Sequence, residues 1–136
     1  MRKNFVVIFG AVALLMVGCK SAKKALSSSG VAIAEFRYSA EIGNAKGYTF
    51  YRFYGDKTFS RGAYGSDGKQ TVTVETERGT YEGNPKVEGE LKMTVTSTMN
   101  WQESSWIESK SADTETGKIQ GSTFVFNGIT YTKATK

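Results

Sequence analysis

The segment Phe124-Val125-Phe126-Asn127-Gly128-Ile129-Thr130-Tyr131 decides how this chain folds. Asn-Gly between two alternating apolar runs is the strongest short-range hairpin signal, because both central positions of a type I′ turn need positive φ. A two-residue loop pairs Phe126 with Ile129 and Phe124 with Tyr131. Those four side chains then share one face, and Val125, Thr130 and Thr132 take the other. One face is apolar and the other mostly polar, as a sheet packed on one side only requires.

Upstream, the same period of two recurs. Ala34, Phe36, Tyr38, Ala40 and Ile42 interleave with Glu35, Arg37, Ser39 and Glu41. Val72 and Val74 alternate with Thr and Glu, and Leu91, Met93 and Val95 alternate with Lys and Thr. That is the pattern of half-buried strands. Turn signals fall at Gly43–Gly47, Gly55-Asp56, Gly65–Gly68, Gly83–Gly89, Asn100–Ser104, Ser111–Gly117 and Asn127-Gly128. Seven loops imply eight strands, expected at 32–42, 48–54, 58–64, 70–82, 90–99, 105–110, 118–126 and 129–134. The fourth is long and is expected to bend at Gly79, and Pro85 is expected in a turn.

No run after residue 30 has a helical period. An all-antiparallel chain without a covering helix buries its apolar face by closing a barrel or by pairing two sheets. Short sequential loops favour the first. The expected fold is all-β, an eight-stranded antiparallel up-and-down barrel, with a sandwich as the alternative. Only Gly83–Gly89 and Ser111–Gly117 are long enough to cross a sandwich.

Composition narrows the chemistry. The 136 residues contain no His and a single Cys. The commonest general base and metal ligand is therefore missing, and no internal disulfide or thiolate zinc site can form. Glu75 and Glu77, two apart in Thr-Val-Glu-Thr-Glu-Arg, are expected on one solvated strand face beside Arg78. No phosphate loop or calcium loop is present. The reading is not an enzyme, with no catalytic residues, metal or cofactor.

The amino terminus has a different character. Arg2 and Lys3 precede an apolar run from Phe5 to Val17, too short to span a bilayer, which takes about 20 residues. It ends in Met16-Val17-Gly18-Cys19. This tetrapeptide resembles the lipobox of bacterial lipoproteins. The resemblance implies cleavage between Gly18 and Cys19 and a diacylglyceryl group on the Cys19 thiol. Two acyl chains suffice for stable anchoring where one does not. Met16 departs from the usual Leu, with similar size and apolarity. The chain is thus expected to divide into a signal peptide (1–18), a lipidated Cys with a flexible tether (19–30) and a barrel domain (31–136). The tether, Lys-Ser-Ala-Lys-Lys-Ala-Leu-Ser-Ser-Ser-Gly, is small, polar and without period.

The formal charge of +5 belongs to that terminus. Five of the 18 Lys and Arg lie before residue 31, leaving 13 against 13 Asp and Glu. A neutral folded part lacks the excess of basic charge expected of a nucleic-acid binder, so no nucleic acid is expected. The tether lysines suit anionic headgroups beside the anchor.

Three stretches are similar to the small lipocalin-like barrels found as bacterial lipoproteins. They are Phe50-Tyr51-Arg52-Phe53-Tyr54-Gly55-Asp56-Lys57-Thr58-Phe59, Gly79-Thr80-Tyr81, and the closing hairpin from Gly121 to Lys133. With the intervening strands they span roughly 32–134. The Gly-x-Trp signature of true lipocalins is absent from the first strand, and the barrel is shorter than theirs. The resemblance implies a membrane-anchored, monomeric envelope protein that binds a small hydrophobic ligand inside the barrel. Such barrels also bind or inhibit envelope proteins through their surface, with a lumen filled by side chains.

Candidate interior residues are Phe36, Tyr38, Phe53, Phe59, Tyr81, Met93, Phe124, Phe126 and Tyr131, joined by Val72, Val74, Leu91, Val95 and Ile129. They form either a filled core or the walls of a cavity. Trp106 is expected to plug one barrel end. Trp101 either packs on its neighbours or forms a surface binding site. Among Tyr48, Tyr51 and Tyr54 at least one must face outward, beside Arg52. Inner and outer membrane are not distinguished by these features.

Mass spectrometry of protein extracted from membranes should find a diacyl mass on Cys19 as the first residue. An unmodified thiol there would overturn the anchor.

Overall fold

The computed structural model describes residues 30–109 and 113–135. The expected signal peptide, Cys19 and nearly all of the expected tether lie outside the described residues, as does Lys110 at the end of the expected sixth strand. The strands are β1 (Ala32–Ile42), β2 (Ala45–Tyr54), β3 (Thr58–Ser66), β4 (Thr71–Glu82), β5 (Gly89–Asn100), β6 (Ser105–Glu108), β7 (Thr114–Gln120), β8 (Thr123–Phe126) and β9 (Ile129–Lys133). All neighbours are antiparallel, and no described residue is helical. Pairing of β4 with β5 and of β1 with β9 closes eight of these strands into a barrel, leaving β6 as an extra strand beside β5. Closure satisfies the edges that an open sheet would expose.

The Asn-Gly hairpin forms as read. Phe126 faces Ile129 and Phe124 faces Tyr131, with φ of 50° at Asn127 and 76° at Gly128. The ladder shifts beside Gly79, where Arg78 faces Ser97 and Gly79 faces Val95, so the extra residue there is Thr96 of β5. The described chain corrects the expected strand list in two places. The single strand expected over 118–126 is two strands joined by a turn at Gly121, whose φ is 59°. The strand expected over 105–110 is β6, which pairs only with the far end of β5 and is not part of the closed barrel.

Both corrections trace to Gly117. A glycine in a polar run reads as a loop, but here it lies inside β7, opposite Leu91 of β5. A side chain on Gly117 would run into the Phe124 ring. The glycine therefore makes room for a core aromatic, a role that glycine takes inside strands where a neighbour approaches closely.

The core lies in the barrel half that holds the 55–57, 83–88 and 121–122 turns. Phe36, Phe53, Phe59, Tyr81, Leu91, Met93, Ile119 and Phe124 are buried there. Phe53 meets Phe36, Tyr81 and Phe124 edge-on, with centroids 5.1–6.2 Å apart. Edge-to-face pairs at this distance add to the burial of each ring. The Tyr81 hydroxyl donates to the Tyr54 carbonyl at 2.7 Å, so the one polar atom of that ring is satisfied.

Part of the outer surface is also packed. Phe50 is fully buried although it faces away from the lumen, opposite Gly62. The Arg52 guanidinium covers it at 4.0 Å, Tyr48 stacks on Tyr64 at 4.8 Å, and Arg37 lies 4.2 Å over Tyr48. Glu35 accepts hydrogen bonds from Arg37 and Arg52, both at 3.2 Å. Such cation–π contacts contribute roughly 0.5–1 kcal/mol each at exposed sites and more when desolvated.

Gly117→Ala should destabilise the barrel by about 1–3 kcal/mol in urea unfolding, as overpacked cores do. Adding Phe124→Leu should recover part of that loss relative to the sum of the two single changes. Gly55→Ala, whose new methyl would meet only Ile33 at 3.8 Å, should be nearly neutral.

Candidate functional site

The rings do not fill the whole lumen. Beyond Phe59 and Met93 a cavity of about 330 Å3 opens toward the end of the barrel that carries the Asn127 turn. Its floor is Phe59, Met93, Val95 and Phe126, and Tyr51 and Arg61 form one wall. Exposed Thr98, Ser109, Asp113 and Asn127 mark its mouth.

Arg61 and Glu77 reach this cavity from β3 and β4, where they are directly opposite each other. Arg61 Nη1 donates to Glu77 Oε1 at 3.4 Å. Glu75, two residues away, does not share their face. The ladder pairs Arg61 with Glu77 but Gly62 with Glu75, leaving Thr76 as a bulge residue whose hydroxyl donates to the Arg61 carbonyl. One extra residue shifts the alternation, so Glu77 points in and Glu75 points out. The expectation of Glu75 and Glu77 on one solvated face is corrected by this bulge. Glu75 instead accepts from Arg78 Nε at 2.7 Å on the outside.

Glu115 enters from β7, opposite Met93, and accepts from Asn127 Nδ2 at 3.4 Å. Arg61 Nε is buried and has no hydrogen-bond partner among the described residues. Burial works against the Arg61 charge, but the Tyr51 phenol and the Glu77 carboxylate outweigh it and hold its pKa above the ordinary guanidinium value. Burial also pushes the Tyr51 phenol far up, and the phenols of Tyr131, Tyr48 and Tyr81 up with it. Among the described residues no group of three or more acidic, Cys or His side chains is placed to hold a metal.

The candidate interior residues separate into groups. Phe59, Met93 and Phe126 line the cavity together with Val95. Phe36, Phe53, Tyr81 and Phe124 are closed core. Tyr131 is buried with its ring 5.1 Å from Tyr51. Tyr38 shares the strand face of Phe36 but is 39 % exposed, packed edge-on to Tyr131 at 6.2 Å where β1 and β9 pair over only two residues. Of the three tyrosines in β2, Tyr51 faces in, while Tyr48 and Tyr54 face out. Tyr54 is nonetheless buried, its hydroxyl 3.1 Å from Ser60 Oγ.

Trp106 does not plug the barrel. It lies opposite Met99 on the outer face, with the Arg78 guanidinium 4.2 Å over its ring. Trp101, in the turn between β5 and β6, is 41 % exposed. The lumenal Arg61, Glu77 and Glu115 are absent from the sequence-derived candidates. The Arg61-Gly62 pair in a strand without apolar alternation was the available signal, and it is weak.

No known family, curated protein or solved structure gives a match to this chain.

Four of the seven tyrosines have raised pKa values. A phenol raised on folding keeps its proton in the native state. Its stabilising contribution is complete below the ordinary value of about 10 and is lost as pH rises through the folded value. Absorbance at 295 nm one unit above that ordinary value should therefore show fewer tyrosinates in the folded chain than in urea. A full complement in the folded chain would contradict the buried placement of Tyr51.

Proposed function

We propose that this protein is a bacterial envelope lipoprotein, held to a membrane by acylated Cys19, whose barrel takes one small ligand with an apolar body into the Phe59–Phe126 cavity. The role is binding, without chemistry. The observation that carries it is the cavity of about 330 Å3, which lies within the range of small-molecule sites while the other barrel half is packed with rings. The export signal, the lone Cys at its end and the likeness to lipocalin-like lipoproteins support the anchored part of the reading.

The strand directions suit such an arrangement. Ala32 opens β1 opposite Tyr54, at the end that holds the 55–57 and 83–88 turns. The mouth, with Thr98 and Asn127, is at the other end. An anchor joined to Val31 through Lys20–Gly30, at most about 40 Å when extended, attaches at the barrel end opposite the mouth.

A second reading, contact with another envelope protein, rests on Trp101 and Ile107, which are 41 % and 52 % exposed on the β5–β6 hairpin. Exposed Trp is common at binding hot spots.

The small neutral fluorophore 1-aminonaphthalene, with about the number of non-hydrogen atoms that the cavity holds, should bind the full chain in lipid nanodiscs with a blue-shifted emission beyond that of empty nanodiscs. Val95→Trp, which fills the cavity, should remove this excess while circular dichroism still reports a folded barrel. No excess with the unaltered chain, or an excess that survives Val95→Trp, would overturn the cavity as a binding site.

A further inference from the structure

The charges around the cavity specify what kind of ligand it takes. Glu77 and Arg61 are spent on each other, at 3.4 Å. Two further carboxylates, Asp113 and Glu115, line the same space, and among the described lining residues no second cation answers them. Glu115 is opposite Met93, so its side chain rises from the inner face directly beside the apolar floor. Its one described hydrogen bond is the 3.4 Å contact from the Asn127 amide, which supplies no charge.

Acidic groups over a low-dielectric wall raise the local concentration of cations and repel anions. Apolar side chains beneath them favour a hydrocarbon or aromatic body. The volume, about 330 Å3, holds roughly ten non-hydrogen atoms at the ~30 Å3 that a water-sized group occupies.

We infer that the cavity selects small amphiphilic amines, with the protonated amine at Asp113 and Glu115 and the apolar body against Phe59, Met93, Val95 and Phe126. The inference rests on the cavity being a binding site and adds the sign of the ligand's charge. Arg61 does not reverse that sign. Its guanidinium is neutralised by Glu77, and the Tyr51 ring lies 5.6 Å away on its other side.

Three molecules of nearly equal size and different charge test this: 2-phenylethylamine, 2-phenylethanol and 3-phenylpropanoate. Each is titrated calorimetrically at neutral pH and low salt into the full chain in nanodiscs, with empty nanodiscs as the blank. The amine should bind at least about tenfold more tightly than the alcohol, a modest factor because the carboxylates are partly solvated, and the phenylpropanoate should bind most weakly. Asp113→Asn with Glu115→Gln should bring the amine to the level of the alcohol and leave the alcohol unchanged. Glu108→Gln, which removes an exposed carboxylate from the outer face, should change nothing. Equal binding of all three, or tightest binding of the phenylpropanoate, overturns the charge preference and leaves the cavity as a site. Binding of none overturns both.

Discussion

The lumen of an eight-stranded barrel is hardly wider than the side chains that point into it, so each inward residue either fills space or leaves it. The structure follows from how that constraint is met at successive levels of the barrel. At one end Phe36, Phe53, Phe59 and Phe124 meet at the axis, and Gly117 and Gly79 give up their side chains so that Phe124 and Phe59 fit. One level further on, Arg61, Glu77 and Glu115 take the inward positions. They stay near the wall and a cavity remains. The packed half holds the barrel closed, and the open half does not have to.

The change of character depends on one backbone irregularity. Without the bulge at Thr76, strict alternation would put Glu75 and Glu77 on the same face. With it, one carboxylate serves the inner face and the other the outer. Inside, Glu77 meets Arg61, and outside, Glu75 meets Arg78, which in turn covers Trp106. An ion pair in a half-buried wall is a poor source of stability, since apolar residues of like volume commonly do as well or better. The Arg61–Glu77 pair is better understood as keeping the lumen polar and open than as holding the strands together.

Much of the fold was legible because its signals were local. The Asn127-Gly128 turn set a register that the pairing of Phe124 with Tyr131 reproduces, and the alternation in Ala34–Ile42 identified β1. The absence of any helical period required a closed or doubled sheet. What escaped was decided by contacts distant in sequence. Gly117 looks like a turn residue until Phe124 is placed against it, and so the 114–117 half of β7 reads as loop and the turn at Gly121 is hidden inside the expected strand 118–126. The bulge at Thr76 has no marker in Thr-Val-Glu-Thr-Glu-Arg. Arg61 was passed over because a cation between Ser60 and Gly62 reads as surface, and only the closed sheet turns it inward.

The outer face of β1 to β4 shows the same limit from the other side. Glu35, Arg37 and Arg52 look solvated in sequence, yet the guanidinium planes of Arg37 and Arg52 roof Tyr48 and Phe50. Long cationic side chains cover apolar surface while their charged ends stay near water. Here Glu35 holds both heads in place at 3.2 Å. That roof explains how β2 can carry aromatic residues on both faces without exposing an apolar stripe. It also leaves less open apolar surface on this side of the barrel than the sequence suggests. The exposed Trp101 and Ile107 lie instead on the β5–β6 hairpin, outside the closed sheet, where a change of side chain leaves the barrel packing untouched.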